Sequence, residues 1–523
     1  MAWPDSSSDV VSTPSASRNA IANALGYAIA IAISFVQAPF LIHQLGDERY
    51  GIWTLIGLVT GYYGLLDLGT RGAVGFFVAR ARARDATVEI SELTASAFWF
   101  LAAAGGVVLV VGTIVLFLFP DMFRVAASVR TETLVALAIA LVLTVLTLPL
   151  DVFAAIVNGC RRGEVITFTE TAVRILVFVL IFALFWNGAR LDVLAGIQVV
   201  AKVIVWVVAL ATARRLEPHW SINLRFFRRS RLREIMRYGL QTSVINVAGV
   251  IVQRIDAIVI AIVLGARMVT VYVIGQSLVT YLAQGVSAIT LALTPFFADL
   301  HAKEDANQTR WLFFAGTRAA SLATGLIAGG LISFGEPFIA RWVGAHYVQG
   351  VWFNRSDSVL LILLVATIPR LLHSAAAQYL FGSNKQGFLA RLFVIEGAAN
   401  LALSLALVHP LGLAGVAIGT AVPSLISQGW FLPRFVARAM DVSVRQLFFE
   451  GQARGLAVGV VVAFVGEAMA RVVPPTTWPG FFSAVLLTIV IASPFLWFLG
   501  LTAEDRLMVR AVLARLRPER RTA

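Results

Sequence analysis

Residue types that carry enzyme and metal chemistry are scarce in this sequence. Its 523 residues include a single cysteine, Cys160, and six histidines. One cysteine cannot form an intrachain disulfide, and we interpret Cys160 as a buried structural thiol rather than a metal ligand. The sequence contains no recognisable catalytic triad and no glycine-rich phosphate loop followed by lysine. It therefore predicts no enzyme, no ATPase and no bound cofactor or metal.

Charged residues are also scarce, at 14% of the chain against 59% hydrophobic residues. The mean hydropathy of +0.83 excludes an ordinary soluble protein and predicts an all-α protein that crosses a membrane many times. The net charge of +13 alone would be compatible with nucleic-acid binding. No nucleic-acid-binding module is recognisable, however, and the basic residues are distributed as in membrane proteins, so nucleic acid is not an expected partner.

The distribution of basic residues orients the chain. Most of the 42 Lys and Arg residues fall in the connecting segments of one side. In membrane proteins the more basic side is the cytoplasmic one, which predicts a multi-pass protein with both termini in the cytoplasm. The apolar run of residues 21–45 has no basic segment before it and no cleavage site, so we interpret it as an uncleaved first membrane helix.

Apolar runs and polar breaks divide the chain into six segments. We predict about 14 transmembrane helices, in two six-helix bundles related by a parallel repeat and followed by two C-terminal helices. The basic connector interleaves arginines with aromatic residues, and we expect it to lie on anionic membrane lipids. The segments are a disordered cytoplasmic tail (1–18), the N-terminal bundle (19–213), the connector (214–237), the C-terminal bundle (238–440), a link with helices 13 and 14 (441–502) and a basic cytoplasmic tail (503–523).

Weak similarity between the two bundles supports the repeat. The pair Leu45-Gly46 recurs as Leu264-Gly265, 219 residues later. A proline in the fourth helix of the first bundle has a counterpart in the second, at Pro149 and Pro369. Both halves would start in the cytoplasm, so we expect the repeat axis to lie along the membrane normal.

A recognisable motif lies between residues 37 and 85. We expect one helix to end near Leu45 and a second, continuous helix to run from about residue 50 to 83. The motif resembles the first helical hairpin of the bacterial polysaccharide-export flippases, which share a superfamily with multidrug extrusion transporters and lipid II flippases. It consists of Leu45-Gly46, Tyr50-Gly51, Trp53, Tyr62-Tyr63 and Leu65-Leu66-Asp67-Leu68-Gly69.

This resemblance implies a function as well as a fold. Similar proteins have two six-helix bundles around a hydrophilic cavity that opens alternately to either side. They carry an undecaprenyl-diphosphate-linked oligosaccharide across the bacterial inner membrane for O-antigen or exopolysaccharide biosynthesis. The resemblance thus implies a lipid-linked oligosaccharide as cargo, and a polysaccharide polymerase and a chain-length regulator as partners. We expect the energy to come from a proton or sodium gradient or from downstream consumption of the product.

Charged residues inside the predicted membrane helices are the candidate site residues, because each costs about 3 kcal/mol near the bilayer centre. An arginine without an acid partner suits a diphosphate or an acidic sugar, since its planar group binds phosphate oxygens bidentately. The substrate-binding candidates are Arg254, Arg370, Arg318, Lys202, Arg174 and Arg71. The ion-coupling candidates are Asp256, Glu396, Glu467 and Asp67.

The spacing along the sequence separates the candidates that can pair with an opposite charge on the same helix from those that cannot. Asp67 with Arg71, and Glu170 with Arg174, lie four residues apart on one helix face, so each pair can form an ion pair. Asp256, Glu396 and Glu467 have no certain local partner. The favoured ligand contacts are the two arginines that lie deepest without an acid four residues away, Arg254 and Arg370.

Other classes of protein compete with a polysaccharide flippase. A multidrug or cation antiporter and a lipid II-type flippase belong to the same superfamily, although the drug extruders usually stop at 12 helices. A membrane polymerase of the same pathway would place catalysis on a long outer loop, and the longest one predicted here, about residues 335–357, is modest. A structural scaffold would not need so many charges inside the membrane.

The predicted topology can be tested with reporter fusions. Fusions after Arg84, Arg237 and Ala523 should read as cytoplasmic, and one after Asn354 as external, because these positions follow the asymmetry of basic residues. Alkaline phosphatase and green fluorescent protein activities would be measured for each fusion. An external reading after Arg237 would contradict the arrangement in two halves.

Overall fold

A computed structural model describes residues 14–63, 67–186, 188, 190–383, 385 and 387–507 of the chain. For residues 14–25, 27, 28, 63 and 241–254 it describes the backbone alone. The described part is helical and contains no strand. Short 3-10 turns occupy Ala127–Val129, Leu224–Phe226, Ala345–Val348 and Trp352–Asn354, and π-helical turns occupy Ser427–Phe431, Leu447–Gln452 and Leu496–Gly500.

The α-helices are numbered in chain order. They are α1 (Pro14–Tyr63), α2 (Thr70–Arg82), α3 (Thr87–Met122), α4 (Arg130–Leu150), α5 (Val152–Gly159), α6 (Gly163–Leu184), α7 (Leu191–Leu216), α8 (Arg229–Val263), α9 (Ala266–Leu291), α10 (Thr294–Ala302), α11 (Ala306–Trp342), α12 (Ser356–Leu372), α13 (Ser374–Gly382), α14 (Gly387–Ile426), α15 (Leu432–Ala439), α16 (Val444–Gln446), α17 (Ala453–Val472) and α18 (Trp478–Phe495).

The lengths and compositions of these helices confirm a polytopic all-α membrane protein. Among the described residues, ten helical stretches are long and apolar enough to cross a membrane, or eleven if α12 and α13 form one bent span. The bend between α12 and α13 is 42°. The number of 14 transmembrane helices remains a prediction.

The stretch Gly387–Ala439 is a hairpin rather than one span. Its 53 residues would reach about 80 Å as one helix, far beyond a hydrocarbon core of about 30 Å. Gly412 breaks the helix with φ 53° and ψ −134°, and the chain folds back, so that Ser404 Oγ donates to the Val416 carbonyl at 3.3 Å. A Cβ on Gly419 would lie 2.6 Å from the Ser404 nitrogen, so glycine permits this close approach.

The predicted continuous helix over residues 50–83 is wrong. Among the described residues, Leu68 and Gly69 have φ of 48° and 71°, and a new helix begins at Thr70. A residue with positive φ cannot continue a right-handed helix. The predicted turn after Leu45 is present as a kink in α1 at Gly46, where φ is 73°. The break before Thr70 positions Asp67 at the start of α2.

The helices form two compact units. The first extends through Val250 and includes Leu264–Thr270, and the second comprises Ile251–Val263 and the chain from Val271 onward. In the first unit α2 packs on α5, α3 on α4, and α4 on α7. Its core contains Val74, Leu101, Val108, Ile156 and Ala209, each fully buried.

The second unit repeats a local arrangement of the first. Its α10 packs on α13, as α2 packs on α5, and in both cases the helix before the second partner ends just after a proline, Pro149 or Pro369. Gly46 and Gly265, the residues that the sequence repeat aligns, both have positive φ. This recurrence is in line with the internal repeat.

The basic connector packs on the first unit. Trp220 is 2% exposed and belongs to the core, and Trp99 Nε1 donates to the Ile222 carbonyl at 2.9 Å. Arg231 pairs with Glu89 at 3.1 Å. The connector is therefore held by side-chain contacts, in addition to any contact with lipid headgroups that its charge predicts.

Two predicted boundaries in the second half are corrected. The outer loop after residue 334 is shorter than predicted, because α11 continues through Pro337 to Trp342. The expected amphipathic link at 441–454 is largely helical, since a continuous helical stretch runs from Val444 to Val472. The shorter loop leaves less chain for the catalytic loop that a polymerase would need.

The packing of α11 on α17 depends on glycine and can be tested. A Cβ on Gly325 would lie 2.0 Å from the Gly455 carbonyl oxygen, whereas a Cβ on Gly330 of the same helix would meet nothing within 4 Å. Gly325→Ala should destabilise the protein by roughly 1–3 kcal/mol through overpacking. Gly330→Ala is the matched control. Thermal melting in detergent would measure both variants, and equal melting temperatures would contradict this close packing.

Candidate functional site

Charged side chains meet at the breaks between helices, and the clearest case lies in the first unit. Arg71 of α2 lies between Asp67 and Asp151, with its Nε 3.1 Å from Asp67 Oδ2. Its Nη1 donates to Asp151 Oδ2, and Trp206 Nε1 donates to Asp151 Oδ1 at 3.0 Å. We call Asp67, Arg71, Asp151 and Trp206 the α2 cluster.

Backbone breaks place both acids of the α2 cluster. Asp67 precedes the positive-φ residues before α2, and its Oδ1 accepts the Arg71 backbone N–H at 3.3 Å. Asp67 thereby accepts a hydrogen bond from a backbone N–H in the first turn of α2, which has no acceptor within the helix. Asp151 is the residue between α4 and α5, two residues after Pro149. Because each acid sits at an interruption, one arginine can contact both.

Exposure distinguishes Arg71 from its partners. The Arg71 side chain is 43% exposed, whereas Asp67 and Asp151 are 13% and 11% exposed. Lys202, another predicted substrate contact, is partly buried on α7 one turn before Trp206 and has no ion pair within the described structure. The two acids are thus enclosed, while part of the Arg71 side chain reaches a surface of the first unit.

A second cluster of charged and polar side chains lies in the second unit. It consists of Arg370, Glu396, Ser427 and Gln428, and we call it the α12 cluster. The Arg370 Nη2 donates to Glu396 Oε1, and the Glu396 side chain is 1% exposed. Glu396 Oε2 accepts from Ser427 Oγ at 2.6 Å and from Gln428 Nε2 at 3.1 Å. Ser427 and Gln428 begin a π-helical turn, in which the wider backbone spacing helps both side chains to reach the same carboxylate.

His373 holds two elements of the second unit together. It separates α12 from α13, and its Nδ1 lies 2.7 Å from the Pro369 carbonyl oxygen. Its Nε2 lies 3.0 Å from Gln452 Nε2, in the π-helical turn before α17. The ring is buried, and both of its nitrogens serve contacts within the protein.

The Asp256 carboxylate has an environment that consists of neutral donors. It is 2% exposed and accepts from Tyr272 Oη at 2.7 Å, Thr420 Oγ1 at 2.7 Å and Asn400 Nδ2 at 3.2 Å. Ser404 Oγ donates to Asn400 Oδ1 at 2.8 Å. None of the described basic side chains forms an ion pair with Asp256. We call these five residues the Asp256 cluster; it joins α8, α9 and both arms of α14.

The remaining predicted site residues do not join these clusters. Arg318 forms a bidentate pair with Asp505, with both distances 3.1 Å. Burial would raise the pKa of Asp505, but hydrogen bonds from Thr502 and Arg318 outweigh it and lower that pKa. Glu467 pairs with Arg471 one turn away, and both are exposed.

Two further predictions concern the pair of Glu170 with Arg174 and the side chain of Arg254. The predicted pairing of Glu170 with Arg174 is wrong, because both side chains are exposed on α6 and no ion pair joins them in the described structure. The side chain of Arg254 lies outside the described residues. The structure therefore brings together Arg71 with Asp67 and Arg370 with Glu396, and leaves Arg174, Lys202 and Arg318 apart from them.

Sequence reasoning missed the neutral members of these clusters. Asn400, Ser404 and Thr420 are polar residues in strongly apolar helices, and Asn400 and Ser404 lie four residues apart on one face. That spacing was the available signal for the Asp256 cluster. No sequence signal joins Trp206 to Asp151, because they lie on separate helices 55 residues apart.

The α12 cluster generates a stability prediction. Arg370→Ala would leave the buried Glu396 without its cation, at a cost of roughly 3–5 kcal/mol, and adding Glu396→Gln should restore much of the loss. Arg471→Ala is the control, because its exposed pair with Glu467 should contribute about 0–1 kcal/mol. Thermal melting in detergent would measure all three. Unchanged stability of Arg370→Ala would leave Arg370 without the structural role that its pairing indicates.

Comparisons with known proteins agree with this fold. The family described as polysaccharide biosynthesis protein matches residues 16–301. The uncharacterized membrane protein EpsK of Bacillus subtilis (strain 168) is 23% identical over 513 residues, which cover 94% of this chain and 96% of EpsK. A putative O-antigen transporter of Shigella flexneri is 22% identical over 416 residues, covering 77% of this chain and 94% of that protein.

Solved transporters share the architecture at low identity. The lipid II flippase MurJ, in an inward closed conformation, aligns with a TM-score of 0.64 and 11% identity over 94% of this chain and 99% of MurJ. An inward-facing multidrug resistance MATE family transporter of the MOP superfamily aligns with a TM-score of 0.59 and 15% identity, over 78% of this chain and 95% of the transporter. These similarities show the fold. The sequence match over residues 16–301 covers more than half of the chain, which therefore belongs to the polysaccharide biosynthesis protein family.

Proposed function

We propose that this protein is a flippase that moves an undecaprenyl-diphosphate-linked oligosaccharide across the bacterial inner membrane by alternating access. Family membership supports a membrane protein of polysaccharide biosynthesis. The relative with a functional name is called a putative O-antigen transporter, and the similar folds are those of transporters. Transport rather than catalysis is thus the better-supported class of activity.

The partly exposed side chain of Arg71 in the α2 cluster is the observation that carries this proposal. A charged group facing hydrocarbon costs several kcal/mol, so a 43% exposed Arg71 on a membrane-spanning unit is stable where water or a polar ligand meets it. Asp67 and Asp151 hold its inner edge, which orients the outer edge for a ligand. A planar guanidinium held in this way can bind phosphate oxygens bidentately.

The mixed charges of the cluster suit a sugar-phosphate headgroup. Carboxylates accept hydrogen bonds from sugar hydroxyls, while arginine donates to phosphate or to an acidic sugar. With two acids and one arginine, the α2 cluster taken alone carries one net negative charge. That negative charge favours a second candidate function, a multidrug or cation antiporter. The experiment must therefore distinguish a flippase from an antiporter.

We further propose that a proton or sodium gradient drives the cycle through Asp256. Among the four predicted coupling acids, Asp67, Glu396 and Glu467 each have an arginine partner, and Asp256 has neutral donors. A buried carboxylate without a cation is costly, so it gains stability by taking up a proton or a metal ion. The Asp256 carboxylate and the hydroxyl groups of Thr420 and Tyr272 beside it supply oxygen atoms of the kind that a hard cation prefers.

A reconstituted transport assay tests both parts. Proteoliposomes containing undecaprenyl-diphosphate-linked oligosaccharide would be assayed for headgroup accessible to an impermeant lectin, with and without a proton or sodium gradient. We expect Arg71→Ala to slow transport at least tenfold, and Arg71→Lys less, because Lys keeps the charge but loses the planar group. Asp256→Asn should transport at a rate independent of either gradient. Glu467→Gln, at an exposed pair, is the control and should behave as the unmodified protein.

The outcomes separate the candidate functions. Full oligosaccharide transport by Arg71→Ala would rule out Arg71 as a required ligand contact, although the transport itself would still support the flippase. No oligosaccharide transport by the unmodified protein, combined with gradient-driven export of a cationic dye, would favour the antiporter. Retained gradient dependence in Asp256→Asn would contradict the assignment of Asp256 while leaving the flippase itself in place.

A further inference from the structure

A cleft of about 410 Å³ lies in the first unit, between the end of α2 and the start of α8. Its size falls in the range of roughly 300–1,000 Å³ that small-molecule sites occupy. The basic residues at both helix ends place it on the predicted cytoplasmic side. The lining residues are Phe77, Ser230, Arg233, Glu234, Arg237 and Tyr238.

The acid in this cleft is already neutralised. Glu234 Oε1 lies 2.7 Å from Arg80 Nη2, and Glu234 Oε2 lies 3.1 Å from Arg231 Nη1. The two arginines also reach Glu89, at 4.0 and 3.1 Å. Arg80 and Arg231 are thus paired with the carboxylates of Glu89 and Glu234. The carboxylate of Glu234 is therefore not available to other cations.

Two arginines of the cleft are left over. Arg233 and Arg237 are exposed, lie one turn apart on the same face of α8, and form no ion pair among the described side chains. Their positive charges are therefore uncompensated within the described part of the unit. Two guanidiniums at this spacing can bind the oxygens of one phosphate or of two linked phosphates, with Ser230 as a further donor.

The remaining wall of the cleft is aromatic. The Tyr238 ring stacks on Phe76 with ring centroids 4.9 Å apart and meets Phe77 edge-on at 5.7 Å. Aromatic rings of this kind suit the boundary between headgroups and hydrocarbon. The cleft thus offers positive charge beside an apolar wall, which is the combination that an amphiphile with a phosphate headgroup requires.

We propose that this cleft binds the phosphate group of a membrane lipid at the inner leaflet. Two lipids carry that chemistry: the diphosphate of the lipid-linked oligosaccharide, for which the cleft would be the loading site, and a bulk anionic phospholipid. The first source rests on the proposed flippase function, whereas the second does not. Arg233 and Arg237 provide the affinity, and the partly buried Tyr238 ring, which packs against the buried Phe77, contacts the apolar part of the lipid.

Lipid binding by the purified full-length protein tests the proposal. Native mass spectrometry would measure the binding of undecaprenyl diphosphate and, separately, of phosphatidylglycerol at several salt concentrations. The Arg233→Gln/Arg237→Gln variant should bind at least one of these lipids at least tenfold more weakly. Arg215→Gln is the matched control, because Arg215 is exposed and unpaired among the described residues at the end of α7, outside the cleft. Melting temperatures should stay the same, since neither cleft arginine holds an ion pair with any side chain that the structure describes.

Each result has a defined meaning. A selective loss of undecaprenyl diphosphate binding identifies the loading site, and an equal loss for both lipids identifies a general anionic-lipid site. Unchanged binding of both lipids, or equal weakening by Arg215→Gln, overturns the proposal. Loss of binding in a protein that transports no oligosaccharide would support the cleft while rejecting the flippase, so the two failures are distinguishable.

Discussion

The cost of an unpaired charge in a membrane is the constraint on which the described structure most depends. In the α2 and α12 clusters the protein meets it by placing the acids, or the side chains that contact them, at interruptions or ends of the helices. Asp67 and Asp151 flank breaks around α2 and between α4 and α5, and both contact Arg71. Glu396 draws its donors from a helix end and a π-helical turn. Interrupted helices are therefore the means by which this fold carries polar groups across its apolar elements.

The same constraint explains why the three clusters differ. Each acid of the α2 and α12 clusters pairs with an arginine, although the two acids of the α2 cluster share one. Asp256 has hydroxyl and amide donors instead, and these stabilise a carboxylate less than a cation does. A group in this situation responds to a small ion more readily than one already paired. Close packing of the two arms of α14 at Gly419, where a Cβ would lie 2.6 Å from the Ser404 nitrogen, leaves the backbone beside this cluster little freedom to relax.

Sequence reasoning succeeded where the relevant forces are local. Apolar runs located most helices within a few residues, since burial in lipid requires a length of about 20 apolar residues. Spacing of four residues found the pair of Asp67 with Arg71. It failed for Glu170 and Arg174, because the same spacing on an exposed face does not enforce contact. The break at Leu68 was missed because a residue with a bulky side chain rarely has positive φ.

Neither hydropathy nor local spacing predicts contacts between residues that are distant in the sequence. Asp151 meets Arg71 across 80 residues, and Asp256 meets Thr420 across 164. Hydropathy predicts which segments cross the membrane, but it carries no information on which of the resulting helices become neighbours. The sequence thus predicts most of the charged members of the clusters, whereas their neutral members and their contacts follow from the packing of the helices.

The π-helical turns of the second unit affect how this chain can be compared with others. A π turn pairs each carbonyl with the amide five residues on and so holds one residue more than an α turn. The three turns, at Ser427–Phe431, Leu447–Gln452 and Leu496–Gly500, each rotate the following side chains relative to the preceding ones. In a relative that lacks such a turn, a gap-free alignment would assign the helix face after it one residue out of register. For distant members of the family, equivalent positions beyond Ser427 must therefore be identified by superposing helix faces instead of counting residues.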